Sequence, residues 1–204
     1  MQGAAGRGAA VHLADALGTG SAGRMESLVA LAPSIDQRLV TLPDGSTVSI
    51  RALRISFSRA TPNRLPEGTL PSTYTAKPLV SVNGAAMFGE LAIVRWLEKD
   101  GWEAVWMDTL HGAKFWSAMP HKAQPVALPP AARALYAAIT IANGGKSSGA
   151  FDVMAWRSGD FAFLEYKGET DRSNRNEARW IEAALATGVL ATQLWFVLHP
   201  ANDG

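Results

Sequence analysis

The chain has 204 residues, of which 48% are hydrophobic and 18% charged, and its formal net charge is +1. This length is ordinary for one domain and allows a real hydrophobic core, whereas the near-neutral charge means that any nucleic-acid surface would have to be local. The absence of cysteine excludes disulfides, thiolate zinc sites and cysteine nucleophiles, and the four histidines show no metal-type spacing.

Three sequence features bear on the cellular compartment. No apolar run approaches the roughly 18 residues of a membrane helix. The first residues lack the order of basic, apolar and cleavage regions that is typical of a secretory signal. Together with the lack of cysteine, these features predict a cytoplasmic protein with no membrane partner.

The N-terminal part of the chain divides into a tail and an extension. Residues 1–30, rich at first in Gly and Ala, are expected to form a flexible or weakly ordered tail. Residues 31–84 are expected to form an extension with a β-hairpin, whose strands at Leu39–Leu42 and Thr47–Ile50 flank a Pro-Asp-Gly turn. This extension would be an accessory subdomain, a partner surface or the dimerisation arm of a homodimer, and the sequence leaves all three open.

The core is expected over residues 85–204, with an insertion at about 109–148. After an irregular, proline-rich connection at 59–78, the patterns predict a helix from about Ala85 to Lys99, a strand at Trp102–Asp108, a loop at His111–Pro130, a helix at Ala131–Ala142, two strands around Ser158-Gly159, a helix from about Arg175 to Thr187 and a strand at Gln193–Leu198. Without the insertion, the order is helix, three strands, helix and strand. This order predicts an α/β (α+β) fold, in which helices flank a mixed β-sheet.

The stretch Gly149–Gly168 carries the most specific prediction. Its centre, Ser158-Gly159, suits a two-residue hairpin turn. Counting outward from that turn places Asp152 opposite Glu165, on the face of the sheet that also carries Lys167. Because like charges at directly paired positions are destabilising, a hard divalent cation with oxygen ligands is expected to hold the two carboxylates together.

Glu90 lies on the apolar stripe of the first core helix. Its neighbours three and four positions away, Ala86, Met87, Ile93 and Val94, are all apolar. A carboxylate in such surroundings is expected to be paired, metal-bound or at the rim of a cleft. The alternative is that the apolar stripe is rotated and the carboxylate lies at its solvent-exposed edge.

The order of elements, with Glu90 on the first helix, Asp152 on the second core strand and Glu165-x-Lys167 on the third, resembles the PD-(D/E)xK nuclease superfamily. Within that superfamily, the likeness is to the virus-type replication-repair nuclease (VRR-NUC) domains and covers about residues 85–200.

The segment after Lys167 extends the resemblance. VRR-NUC domains follow the ExK strand with a glycine, an Asp-containing loop and a helix that bears Gln and, three residues later, Trp; the corresponding residues here are Gly168, Asp171, Glu177 and Trp180. Two positions depart from the pattern, since Phe151 replaces the usual proline and Glu177 the usual glutamine. Glu177 would add a metal ligand, reshape how substrate or water is oriented, or form a capping box with Asn174.

The resemblance implies a restriction-endonuclease-like core and a metal-dependent deoxyribonuclease. The implied catalytic set is Glu90, Asp152, Glu165, Lys167 and Glu177. Asp152, Glu165 and the main-chain carbonyl of Tyr166 would hold Mg²⁺ or Mn²⁺, and Glu90 would complete the site directly or through water. Because a neighbouring carboxylate raises the pKa of a lysine, an electrostatic role for Lys167 is favoured over that of a base.

The expected partner is DNA, and whether it is duplex, branched or single-stranded stays open. The candidate phosphate contacts are Lys146, Arg157, Arg172, Arg175 and Arg179, and Trp116 is a candidate for stacking on an unpaired base. In the alternative interpretation, the nuclease fold is catalytically silent and binds nucleic acid or a protein partner. A carboxylate-pair glycosidase is disfavoured, because a directly opposed pair leaves no sugar cleft.

Overall fold

The structure is a computed structural model that describes residues 35–75, 77–168 and 171–199, so the predicted tail at 1–30 lies outside the described residues. In chain order these residues form β1 (Ile35–Thr41), β2 (Thr47–Arg54), β3 (Ser58–Arg59), α1 (Ser72–Thr75), β4 (Leu79–Val82), β5 (Ala85–Phe88), α2 (Gly89–Lys99), β6 (Glu103–Asp108), β7 (Lys114–Trp116), α3 (Pro130–Ala142), β8 (Val153–Arg157), β9 (Asp160–Gly168), α4 (Arg175–Ala186) and β10 (Leu194–His199). A short 3₁₀ turn at Ala191–Gln193 precedes β10.

Seven strands form one mixed sheet in the order β1-β2-β10-β9-β8-β6-β7, and β3, β4 and β5 form a smaller second sheet. Strands β6, β8 and β9 are antiparallel neighbours, whereas β10 runs parallel to both β9 and β2. The core order is therefore α2, β6, β8, β9, α4 and β10. The predicted mixed α/β fold with a mixed sheet flanked by helices is confirmed.

Helices cover both faces of the central strands, because successive strand residues point to opposite sides. Helix α2 packs on one apolar cluster, to which β9 contributes Leu164 and β10 contributes Trp195. Helices α3 and α4 pack on the other cluster, which contains Met154, Phe163 and Trp180. Among the helices of the described residues, none has both the length and the apolar character that crossing a membrane requires.

The predicted register of the β8–β9 hairpin is confirmed. Its pairs run from Arg157 and Asp160 at the turn to Val153 and Leu164 at the far end. Ser158 and its glycine partner in the turn have φ values of 51° and 87°, as the two central residues of a type I′ hairpin turn require.

The predicted N-terminal hairpin is also confirmed, with β1 and β2 paired antiparallel from Thr41 and Thr47 outward. The hairpin does not stand apart from the core, because Arg51 to Arg54 of β2 pair with Trp195 to Leu198 of β10. The extension and the predicted core therefore share one sheet.

The predicted helix at about 85–99 begins too early. Residues 85–88 form β5, which pairs with β4 across an Asn83-Gly84 turn, and α2 starts at Gly89. Strand pairing thus overrides the local helical pattern. Two smaller corrections are that the predicted loop at 111–130 contains β7 and that the proline-rich connection contains α1.

Gly149 lies where the chain enters β8 against the start of α4. It has a φ of +83°, and an added Cβ would lie 2.2 Å from the main-chain oxygen of Asn176. At Gly145, φ is +75° but nothing lies within 4 Å of an added Cβ. We therefore expect Gly149→Ala to lower the free energy of unfolding by about 1–2 kcal/mol more than Gly145→Ala, because only the former adds a clash. Urea unfolding followed by circular dichroism measures both variants, and equal losses would contradict the clash.

Candidate active site

Six charged side chains come together at one end of the central strands of the main sheet. We call them the acidic cluster, and its members are Lys77, Glu90, Asp152, Glu165, Lys167 and Glu177. They come from the C-terminal end of β9, the entry to β8, the first turns of α2 and α4, and the segment before β4. Glu90 and Glu177 are each 4% exposed, and Glu165 and Lys167 are each 9% exposed.

Asp152 and Glu165 are held side by side through main-chain hydrogen bonds. The hairpin ladder ends at Val153, and Asp152 lies one residue before it in a bend. The N–H of Asp152 donates to Oε2 of Glu165 at 3.0 Å, while the N–H of Tyr166 donates to Oδ2 of Asp152 at 2.9 Å. The two carboxylates are therefore adjacent as predicted, but through these bonds and not through a regular cross-strand pair.

Lys167 joins the two strands to helix α4. Its Nζ forms an ion pair with Glu177 and lies 3.3 Å from Oε1 of Glu165. Glu177 also forms the capping box that was one of its predicted roles, since Asn174 Oδ1 accepts the Glu177 N–H at 3.1 Å and the Asn174 N–H donates to Glu177 Oε2 at 3.3 Å. Glu177 therefore caps the helix and holds the lysine in place.

Glu90 reaches the cluster from the first turn of α2. It forms an ion pair with Lys77 and is buried, so the alternative of a solvent-exposed carboxylate is wrong. Lys77 lies 5.0 Å from the ring centroid of Trp106, and the charges of both Glu90 and Lys77 act on Asp152. Lys77 was missed at the sequence level, because it follows a proline-rich segment with no periodic pattern.

Burial makes the ionisation of the two central carboxylates costly. It raises the pKa of Asp152 from 3.8 to about 7, an effect that the charge of Glu90 reinforces and those of Lys77 and Lys167 oppose. Burial, together with the charge of Asp152, also raises the pKa of Glu165 well above its usual range. The acidic cluster has four carboxylates and two lysines, so its net charge when fully ionised is −2, and two further positive charges would neutralise it.

Lys167 remains a cation in these surroundings. Burial alone would lower its pKa, but the charge of Glu165 and the contacts with Glu177 outweigh burial and raise the pKa above its ordinary value. A lysine that keeps its proton can neutralise a phosphate but cannot act as a base. This geometry supports the electrostatic role.

A second polar group, missed at the sequence level, lies beside the acidic cluster. Buried Asp108 accepts hydrogen bonds from Tyr74 and, at 2.9 Å, from Nδ1 of His111, whose Nε2 lies 2.7 Å from Oγ1 of Thr73. Burial would raise the pKa of Asp108, but these hydrogen bonds outweigh it and lower the pKa. Trp116 is only 6% exposed, and its Nε1–H donates to Oδ2 of Asp108 at 3.4 Å. Its predicted role in base stacking is therefore wrong.

The five predicted phosphate contacts fall into three places. Arg172 and Arg175 line a groove that also includes Lys167. Lys146 and Arg179 line a separate depression beside α4. Arg157 lies at the other end of β8 from Asp152, where it donates to the main-chain oxygen of Asp100 at 2.6 Å and packs over the ring of Trp102. The structure thus gathers four of the five near α4 and leaves Arg157 apart.

The donor set for a cation is small. Within residues 35–75, 77–168 and 171–199, no group of three or more His, Asp or Glu side chains is arranged to hold a metal ion. The oxygen donors that do converge are the carboxylates of Asp152 and Glu165, next to the main chain of Tyr166. Such a set fits Mg²⁺, which commonly keeps several waters and takes one or two protein carboxylates, and a divalent cation would supply the two missing positive charges.

Comparison with known proteins adds no family. No protein-family model matches the chain, and no curated protein or solved structure matches it either. The likeness to PD-(D/E)xK nucleases therefore depends on the residues of the acidic cluster and the order of the elements that carry them.

Proposed function

We propose that this chain is a Mg²⁺- or Mn²⁺-dependent deoxyribonuclease with a restriction-endonuclease-like core, which hydrolyses phosphodiester bonds at the acidic cluster. The observation that carries the proposal is the meeting of half-buried Asp152 and buried Glu165 with cationic Lys167 at one end of the central strands. The order helix, three strands, helix and strand is the one that the resemblance implies, with Glu90 on the first helix.

In this proposal, Asp152 and Glu165 are the anionic ligands of the cation, aided by the main-chain carbonyl of Tyr166. When bound, a divalent cation lowers the pKa of water and stabilises negative charge on the phosphoryl group in the transition state. Glu90 would contribute through water, because its carboxylate is already paired with Lys77.

Lys167 is assigned to the scissile phosphate. Its ammonium group lies between Glu165 and Glu177, so its position is fixed before substrate arrives. A preorganised cation of this kind stabilises developing charge without reorganisation during the reaction. Asn174 acts indirectly, because its amide donates to Oε1 of Glu177 at 3.2 Å.

Metal dependence provides the direct test. The full-length chain is incubated with supercoiled plasmid, linear duplex and single-stranded DNA, in Mg²⁺, in Mn²⁺ and in EDTA. We expect cutting only with the cation, and we expect excess Mg²⁺ to restore activity after EDTA treatment. Cutting that persists in EDTA would remove the metal site from the proposal.

A catalytically silent module is the second candidate. It is favoured by one observation: each carboxylate of the acidic cluster already has a hydrogen-bond or ion-pair partner within the protein. In that case Mn²⁺ would not stabilise the chain against heat, whereas a cation that binds the native state raises the melting temperature. A thermal shift in a Mn²⁺ titration, with an EDTA control, therefore separates the two candidates.

A further inference from the structure

A groove of about 580 Å³ runs beside the acidic cluster, between strand β1 and the segment that leads into α4. Residues 38–43 form one wall, and residues 171–175 form the other. Phe196 and Leu198 lie between the walls, and Lys167 also lines the groove. The β1–α4 groove therefore opens onto a member of the acidic cluster.

The β1–α4 groove is locally basic in a chain of net charge +1. Arg38 comes from one wall, and Arg172 and Arg175 come from the other. The one acidic residue among its lining is Asp171, whose carboxylate accepts the main-chain N–H of Gly168 at 2.9 Å. The charge of the groove thus favours an anionic occupant.

The two walls approach each other closely. Nη1 of Arg38 donates to the main-chain oxygen of Asp171 at 3.3 Å, so this side chain reaches from one wall to the other. Arg172 and Arg175 are exposed, and neither makes an ion pair with a residue in the described part of the chain. Both guanidinium groups are therefore available to a ligand.

We propose that the β1–α4 groove binds the backbone of single-stranded DNA and leads it to Lys167. The identity of the strand as DNA rests on the proposed function. A volume of about 580 Å³ is that of a site for one small molecule, so it suits one or two nucleotides and is too small to enclose a double helix. The side chain of Leu39, which is 77% exposed, adds apolar surface to the basic groove. This combination matches an unpaired strand, which has anionic phosphates and apolar base faces.

The test is a binding measurement in EDTA, so that no cleavage occurs. A fluorescein-labelled 12-nucleotide single strand of mixed sequence is titrated with the full chain, and anisotropy is read at several salt concentrations. The variant is the double substitution Arg172→Ala and Arg175→Ala, and the matched control is Arg133→Ala with Arg64→Ala, two exposed arginines outside the groove.

The double variant is expected to bind the single strand about tenfold more weakly near physiological salt. The plot of the logarithm of the binding constant against the logarithm of the salt concentration should become less steep by about 1.4, because each of the two lost phosphate contacts contributes about 0.7 on a single strand. The control variant should bind as the wild type does. A duplex of the same sequence should bind more weakly than the single strand and respond less to the double substitution.

Three outcomes overturn the inference. They are equal losses in the two double variants, a duplex that binds as tightly as the single strand, and polyglutamate that competes as well as unlabelled DNA. If the wild type cuts DNA with Mg²⁺ but the groove variant binds the single strand normally, only the inference about the groove is refuted. If the wild type binds the single strand through the groove but never cuts it, the proposed function is refuted and the inference about the groove stands.

Discussion

Glu165→Gln is expected to lower the rate of DNA cleavage about a thousand-fold, because a bound cation supplies several kcal/mol of transition-state stabilisation and about 1.4 kcal/mol corresponds to a factor of ten. The glutamine oxygen can still accept the N–H of Asp152, but the side chain no longer carries the negative charge that holds the cation. Single-turnover cleavage of a labelled oligonucleotide at saturating Mn²⁺ measures the effect.

The matched control is Glu103→Gln, the same chemical change at an exposed residue at the start of β6. Its rate should stay within about twofold of the wild-type rate, since surface substitutions away from a site have small effects. A Glu165→Gln enzyme that cuts at the wild-type rate would contradict the assignment of Glu165 as a metal ligand.

Loss of folding should not explain the result. Burial raises the pKa of Glu165, so the metal-free protein disfavours the ionised form of this side chain. Replacing it with a neutral side chain of the same shape removes that cost. In EDTA at pH 7.5, Glu165→Gln should therefore unfold at the same urea concentration as the wild type or at a higher one.

The part of the site that the sequence could predict is the part set by local chemistry. The turn at Ser158 fixes the register of two neighbouring strands, and counting along them places Asp152, Glu165 and Lys167 at the same end of the sheet. The capping box of α4 is equally local, because Asn174 and Glu177 are three residues apart.

The part that the sequence could not predict depends on contacts between distant segments. Lys77 meets Glu90 because an irregular, proline-rich connection folds back over α2, and no periodicity encodes that path. Arg38 lines the groove only because β2 pairs with β10, more than 140 residues later in the chain. Even the bend at Asp152 lies beyond the ladder that fixes the register, so its hydrogen bonds could not be counted from the turn.

Replacing Asp152 with asparagine is expected to remove much of the pH dependence of stability in the metal-free protein. The pKa of Asp152 is raised from 3.8 to about 7 by burial and by the charge of Glu90. A carboxyl group with a higher pKa in the folded state holds its proton more tightly there. Its contribution to stability is therefore complete below about pH 4 and is lost as the pH rises through about 7.

The size of this effect follows from the shift. A rise in pKa from 3.8 to about 7 corresponds to about 4 kcal/mol. Solvent screening of the half-buried Asp152 lowers the expectation to on the order of 3 kcal/mol. In EDTA, the free energy of unfolding of the wild type should fall by at least that amount between pH 4 and pH 8, because the raised pKa of Glu165 adds a loss of the same sign. The Asp152→Asn variant should show a much flatter profile and be the more stable protein at pH 8. The control Asp160→Asn, at the hairpin turn, should keep the wild-type slope.

Mg²⁺ connects this pH dependence to the proposed chemistry. A cation binds the ionised carboxylates and so competes with their protons. Adding Mg²⁺ at pH 8 should therefore recover the stability that the wild type loses in EDTA, and it should recover little in Asp152→Asn. Urea unfolding at pH 4 to 8, with and without Mg²⁺, measures all of these values. A wild-type profile that stays flat in EDTA would show that the carboxylates bear no excess charge, and the physical reason for a cation at this end of the central strands would be gone.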